Sequence, residues 1–187
     1  MKKVWFIIPC ILTLIFMSCD SRTSKKDRLE KAIIQFNKNI KSNNATNYYP
    51  ESYTEIKTDS IISNTFHVNI KNYSSMDRGI FMNTSTKQLK KTSQFHRTFE
   101  SDILVSIADK VIYNSHISAA NFSRLNSDKF WTNATLEHVW VNEELSSTKT
   151  LSLGISFINP KDETYKLYEI RIDQLGNERL TLIEDHS

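Results

Sequence analysis

Alternation of apolar and polar residues in the last third of the chain is the feature that most constrains the fold. Four short segments show it: residues 136–141, 151–157, 168–173 and 180–182. Because successive side chains of a strand point to opposite faces, this period of two predicts four strands. Turn-forming residues at Asn159-Pro160 and Leu175-Gly176-Asn177 keep the connections short. The segments therefore predict an antiparallel meander with one face packed inward and the other in water.

The same period predicts further strands upstream, at residues 53–58, 66–70, 103–107 and 111–113. Asp109-Lys110 separates the last two, which reads as a hairpin. Ser118 is expected to cap a short helical turn, and Phe130-Trp131 to anchor the following segment in the core. Residues 74–94 are polar and rich in Ser, Thr and Lys, so we predict a loop or an irregular edge there.

Composition fits one folded domain over residues 50–187. The chain has 39% hydrophobic and 11% aromatic residues and only three glycines and three prolines, which suits a packed core and argues against disorder. The expected fold class is mainly β, an antiparallel sandwich or an open barrel that ends in the four-strand meander. One N-terminal amphipathic helix precedes it. The sequence leaves the choice between sandwich and barrel open.

The predicted helix spans residues 25–42, with Ser24 as a cap and Asp27 as its partner in the first turn. Four apolar residues recur at spacings of 4, 3 and 4 and share one helix face: Leu29, Ile33, Phe36 and Ile40. We predict that this face is an interface. Its favoured partner is the β domain of the same chain, and the alternatives are a second copy or the membrane surface.

The first 18 residues have the layout of a secretory signal. Met1-Lys2-Lys3 supplies the positive start, residues 4–17 are almost wholly apolar, and Ser18 is a small residue at the cleavage point. A membrane-spanning helix needs about 20 apolar residues, and this segment is shorter. Residues 1–18 are thus predicted to be removed, with an uncleaved anchor as the alternative.

Cys19 is the predicted lipidation site. Phe16-Met17-Ser18-Cys19 resembles the lipobox of bacterial lipoproteins, although Phe16 stands where leucine is usual. Cys10, the other cysteine, lies inside the segment to be removed, so no internal disulfide remains. A lone cysteine at the cleavage point is explained as a carrier of acyl chains such as palmitate, and two or more chains anchor stably. Residues 19–49 would then form the lipidated cysteine, a basic linker and the helix.

Charge is distributed unevenly along the mature chain. Residues 20–41 contain seven basic and three acidic residues, whereas residues 42–187 contain 15 basic and 18 acidic ones. The basic excess lies beside the expected lipid, where each basic residue can add about 1 kcal/mol of attraction to an anionic surface. The β domain is mildly acidic and carries no nucleic-acid-binding motif, so no nucleic-acid partner is predicted.

Two stretches, "FWTNATLEHVWVNEELSSTKTLSLGISFINPKDETYKLYEIRIDQLGNERLTLIEDHS" and "YTEIKTDSIISNTFHVNIKNYSSMD", resemble a family of small lipoproteins from Bacteroidota without an assigned function. The resemblance implies a lipid-anchored envelope protein with a β-rich domain, and it supplies no site residues. Surface-exported lipoproteins of this group often carry acidic residues soon after the cysteine. "CDSRTSKKD" is basic instead, which favours the periplasmic face of the outer membrane.

The sequence contains no catalytic signature. The mature chain has no cysteine besides Cys19, no Gly-x-Ser-x-Gly elbow and no glycine-rich phosphate loop. Paired acids fall at predicted turns or at the chain end. The histidines lack close ligand spacing, so neither a metal nor another cofactor is predicted. On strict alternation, His67 faces solvent and His138 shares a face with Leu136 and Trp140.

Aromatic residues give the remaining candidate surface: His138, Trp140, Tyr165 and Tyr168. Aromatics on a sheet face can hold a sugar or a peptide, but most such residues are core. Tyr165 and Tyr168 are out of phase, so at least one should face outward. The favoured function is a non-enzymatic binding module with an envelope protein or a glycan as its partner. The alternatives are a periplasmic hydrolase acting on an envelope polymer and a structural protein assembling through the helix.

Overall fold

A computed structural model describes residues 25–40, 45–87, 90–124 and 128–187 of the chain. Strands account for 64% of the residues, so the predicted mainly β class is confirmed. The strands are β1 (Ala45–Tyr49), β2 (Glu55–Ile62), β3 (Phe66–Lys87), β4 (Lys90–Ile107), β5 (Lys110–Ser118), β6 (Thr135–Val141), β7 (Thr150–Ile158), β8 (Tyr165–Asp173) and β9 (Glu178–His186). The helices are α1 (Lys25–Ile40), α2 (Ala119–Ser123) and a 3-10 helix (Lys129–Thr132).

The chain divides into two compact units. The first comprises Met1–Asn44 with Lys87–Lys90, and α1 is its described helix. The second comprises Ala45–Thr86 with Lys91–Ser187 and holds both sheets. Residues 45–49, which the sequence places in the linker, form β1 and pair with β4.

The second unit contains two sheets, which bury a common core between them in a sandwich-like arrangement. The first sheet has the order β1-β4-β3-β2, with β5 also paired to β4, and its β1–β4 pair is parallel. The second sheet is an antiparallel β6-β7-β8-β9 meander, as predicted. Over the described residues the strands do not close into a barrel.

Strand β7 differs from the expectation that one face of each meander strand meets water. Its residues from Leu151 to Phe157 are all buried. The residues on its second face are small: Ser152, Gly154 and Ser156. Side chains from the two flanking strands cover these small residues, so a central strand is buried on both faces although its sequence alternates in polarity.

Of the two predictions for residues 74–94, a loop or an irregular edge, the loop is wrong. Most of this segment belongs to the two long strands β3 and β4. Strand pairing satisfies backbone groups and does not require apolar side chains, so a polar strand shows no hydrophobic period. Aromatic contacts also stabilise these strands, because the centroid of the Phe95 ring lies 5.4 Å from that of Tyr48 and 5.5 Å from that of Phe81.

The segment that connects β5 of the first sheet to β6 of the second agrees with the prediction in part. The short helix after Ser118 exists and Ser118 occupies its N-cap position, but the Ser118 side chain makes no capping hydrogen bond. Phe130 and Trp131 are buried and anchor the 3-10 helix in the core, as expected. Trp131 packs edge-on against Phe157 of β7, with their ring centroids 5.1 Å apart.

Asn72 of β3 fixes β6 to the first sheet. Its side-chain amide donates to the Val139 carbonyl at 3.0 Å, and its carbonyl oxygen accepts from the Val139 N–H at 3.0 Å. The amide thereby pairs with the free edge of β6 as a neighbouring strand would. Because Asn72 is buried, these bonds are shielded from competing water and hold β6 in one position.

Lys166 fixes β8, which carries two residues of the candidate surface described below. Its ammonium lies 2.6 Å from an oxygen of Asp185 on β9 and 2.9 Å from one of Asp128, and its side chain is 5% exposed. Burial alone lowers the pKa of Lys166, but the hydrogen bonds with Asp185 and Asp128 outweigh it, and the net pKa is raised. The same bonds lower the pKa of both carboxyl groups.

We expect Lys166→Met to destabilise the protein by about 1–3 kcal/mol at pH 7, because two charge-assisted bonds are lost. A carboxyl group whose pKa is lowered by folding stabilises above its ordinary pKa of about 4 and loses that contribution as pH falls through the folded value. Urea unfolding at pH 7 and pH 3 should therefore show a smaller difference from wild type at pH 3. Lys161→Met, at an exposed position, serves as the control. An equal difference at both pH values would contradict the ion-pair explanation.

Candidate binding surface on the C-terminal sheet

A β-bulge at Glu137 decides which way the β6 side chains face. Leu136 pairs with Phe157 and His138 with Ser156, which leaves Glu137 as the extra residue. Beyond the bulge, Val139 is buried in the core, and His138 and Trp140 point to the outer face. The expectation that His138 shares a face with Leu136 is therefore wrong, because an inserted residue reverses the alternation.

Trp140 lies flat on the outer face of the sheet, over Gly154 of β7. A Cβ on Gly154 would lie 2.3 Å from Cε2, 2.4 Å from Cζ2 and 2.9 Å from Cη2 of the indole. These similar distances to three consecutive ring atoms place that point over the ring face, since a point beyond the ring edge would be much farther from Cη2. Only glycine at this position leaves room for the ring.

His138 extends this flat surface. Its ring is nearly parallel to the Trp140 indole, with an interplanar angle of 10° and a centroid separation of 6.2 Å. Both rings therefore have nearly the same orientation, beside the small residues of β7. We call these two side chains the Trp140–His138 platform.

The platform forms one side of a shallow, open depression of about 520 Å³. Tyr165 and Leu167 of β8 form the opposite side. Ser156 and Glu137 complete the lining. The depression therefore combines aromatic surface, one aliphatic side chain and polar groups.

Hydrogen bonds hold the polar groups of the depression in place. The Ser156 hydroxyl donates to Oε2 of Glu137 at 2.5 Å. The Tyr165 hydroxyl donates to Oε2 of Glu184 at 3.1 Å, and that bond raises the pKa of Tyr165. The Tyr165 ring also stacks on His186 of β9, with centroids 4.6 Å apart. Tyr165 is thus supported from the edge strand.

The buried carboxylate of Glu169 lies on the same face of the sheet, at the next outward-facing residue of β8 after Leu167. Glu169 is opposite Gly154 in the strand register. It accepts a hydrogen bond from the Ser152 hydroxyl at 2.7 Å and pairs with Nε of Arg171 at 3.1 Å. Burial alone raises the pKa of Glu169, but the bonds with Ser152 and Arg171 outweigh it, and the pKa is lowered. The carboxylate therefore remains ionised, and the guanidinium of Arg171 balances its charge.

Three of the four aromatic candidates from the sequence meet at this depression: His138, Trp140 and Tyr165. Tyr168 faces the other way and packs in the core, with its ring 5.2 Å from that of Phe122. Four further residues of the site were not predicted from the sequence: Glu137, Gly154, Ser156 and Leu167. The small residues at every second position of β7 were the available signal, because they make room for aromatic rings from a neighbouring strand.

The predicted helix interface is exposed where the structure describes its side chains. Leu29, Ile33 and Phe36 of α1 are 63%, 50% and 66% exposed. The Ile40 side chain lies outside the described part, and so do Cys19 and the whole predicted signal segment.

The other histidines lie on different strands. His67 is exposed and its Nε2 lies 2.6 Å from Asp59, and His96 contacts the Arg97 carbonyl. His116 lies between Asp102 and Glu100. Among the described residues, no group of three or more His, Cys, Asp and Glu side chains is placed to hold a metal ion.

No protein-family model matches the chain, and no curated protein matches its sequence. The described helices include none with the length and apolar character needed to span a membrane.

Proposed function

We propose that this chain is a lipid-anchored protein of the cell envelope that works as a non-enzymatic binding module on the periplasmic side of the outer membrane. The observation that carries the binding function is the depression beside the Trp140–His138 platform. It presents aromatic surface to solvent instead of burying it, and it is open enough to receive part of a larger molecule.

The anchor is the second part of the proposal and rests on the sequence. Cys19 follows an apolar segment and a small residue, and a basic linker follows it. The lipid would attach the β domain to the membrane through residues 20–44, and the domain would meet its ligand near the membrane surface. The resemblance to Bacteroidota lipoproteins supports the same address.

We expect Cys19→Ser to remove the lipid and release the protein from membranes, because the acyl chains supply the stable anchor. Fractionation of cells grown with a labelled fatty acid measures both effects. Cys10→Ser is the matched control, since Cys10 lies in the segment to be removed and its loss should change neither label nor location. A Cys19→Ser protein that stays with the membranes, beside a wild type that takes up no label, would contradict the anchor.

A hydrolase is the second candidate, and one observation favours it. Ser156, Glu137 and His138 share the depression. A serine nucleophile is activated by a base that takes its proton, and here the Ser156 hydroxyl donates to Glu137. Release of shorter fragments from a polysaccharide by the wild type, and not by Ser156→Ala, would establish the hydrolase over the binding module.

Assembly through α1 is a third candidate, favoured by the exposed apolar residues Leu29, Ile33 and Phe36. Such a stripe on one helix face is what a partner helix needs. A concentration-dependent oligomer that Ile33→Asp dissociates would support this role, which is compatible with binding at the depression.

A further inference from the structure

We infer that the Trp140–His138 platform binds a neutral oligosaccharide, a glycan chain built of N-acetylated hexose units. The inference rests on the proposed binding function and names the ligand class of the same depression. Three properties of the site carry it: the orientation of the rings, the polar groups that have no partner, and the charge around the depression.

The rings are oriented as a sugar ring requires. The face of an aromatic ring carries partial negative charge, and it attracts the polarised C–H groups on the flat face of a hexose. Trp140 presents one face outward because Gly154 supports the other, and the His138 ring next to it is nearly parallel. A sugar chain can therefore lie along the sheet across both rings.

Polar groups next to the rings are free to bind hydroxyl and acetamido groups. Neither ring nitrogen of His138 nor the indole N–H of Trp140 makes a hydrogen bond within the described part of the chain. Glu137 uses one carboxylate oxygen for Ser156 and keeps the other for a ligand. Leu167 offers an apolar contact that matches the methyl of an acetamido group.

Charge and shape disfavour two other ligands. Glu137 and Glu184 place negative charge at opposite sides of the depression, which repels acidic sugars. A cationic ligand suits these carboxylates, but aromatic cages for cations surround the charge with several ring faces. The depression is shallow and open, so it does not surround a cation on several sides.

The test is titration of the full-length protein in detergent micelles with four probes: the hexamer of N-acetylglucosamine, cellohexaose, polygalacturonate and choline. The indole N–H resonance of Trp140 and calorimetry report binding. We expect the N-acetylglucosamine hexamer to bind most tightly and to shift this resonance. Trp140→Ala should weaken its affinity about tenfold, since the stacking contact is lost.

Three further variants separate the platform from general folding effects. Gly154→Ala should weaken binding as Trp140→Ala does, because the added methyl displaces the indole from the sheet. Trp140→Phe keeps a ring and should fall between wild type and Trp140→Ala. Tyr49→Ala, at a 74% exposed aromatic on the other sheet, should bind as wild type does.

The outcomes distinguish this inference from the proposed function. Equal affinity of wild type and Trp140→Ala for the hexamer overturns the saccharide site. Binding of choline alone, with a shift of the Trp140 resonance, also overturns it but leaves the binding module standing. If no probe binds, and cell-envelope material retained by the wild type is retained equally by Trp140→Ala, then both the saccharide site and the proposed binding function fail.

Discussion

Phe157→Ala should destabilise the protein by about 3–5 kcal/mol, the largest effect of any single substitution proposed here. Phe157 is fully buried near the C-terminal end of β7. Its ring centroid lies 4.5 Å from that of Phe122, 5.1 Å from that of Trp131 and 6.1 Å from that of Tyr168. Truncation leaves a cavity among three large rings, which belong to separate elements and can close the gap only by moving backbone.

The measurement is the free energy of unfolding in urea, followed by near-ultraviolet circular dichroism of the aromatic cluster. Phe81→Ala is the matched control, because Phe81 is half-exposed and touches one ring, that of Phe95. We expect it to cost about 1 kcal/mol or less. Similar losses for the two variants would show that the Phe157 cluster is not the main core of the domain.

The fold was predictable where side chains alternate between water and a packed core. The meander from β6 to β9 follows directly from that period. The long strands β3 and β4 were not predictable in the same way, because much of residues 74–94 is polar on both faces. Their pairing depends on backbone hydrogen bonds, and these do not require a particular pattern of apolar and polar residues.

Three aromatic residues of the candidate surface were predictable from the sequence, but its geometry was not. The aromatic residues of β6 and β8 stood out, but the bulge at Glu137 reversed the direction of His138. A bulge adds one residue to a ladder without a composition signal of its own, so simple alternation gives the wrong face beyond it. The role of Gly154 depends on a ring from the neighbouring strand, and such a contact is tertiary information.

Substitution of Arg97 is expected to have the second-largest effect on stability. No pattern in the sequence indicated this role for Arg97. It lies in β4 with 5% exposure, and its guanidinium donates to three carbonyl oxygens: Pro50 at 2.9 Å, Met76 at 2.7 Å and Glu51 at 3.3 Å. Its Cζ also lies 4.3 Å from the centroid of the Tyr48 ring. One side chain thus joins β4 to β3 and to the segment that follows β1.

We expect Arg97→Met to destabilise the protein by about 2–4 kcal/mol, because it removes the three charge-assisted hydrogen bonds of a buried guanidinium and the cation–π contact. Arg97→Lys should recover less than half of the loss, since an ammonium cannot reproduce the planar fork that reaches three acceptors. Urea unfolding of both variants measures the effect. Arg179→Met is the control at an exposed position, with an expected change within about 0.5 kcal/mol.

Arg97→Lys distinguishes two explanations of the lost stability: the buried positive charge alone, or the hydrogen bonds to the three carbonyl groups. If the buried charge alone mattered, Arg97→Lys would be as stable as wild type, and the carbonyl network would have no energetic role. If the network matters, amide hydrogen exchange should accelerate in β1 for both variants, because Tyr48 and Pro50 lose the contacts that hold them against β4. Unchanged exchange in β1, together with a large loss in stability, would place the effect of Arg97 elsewhere in the sheet.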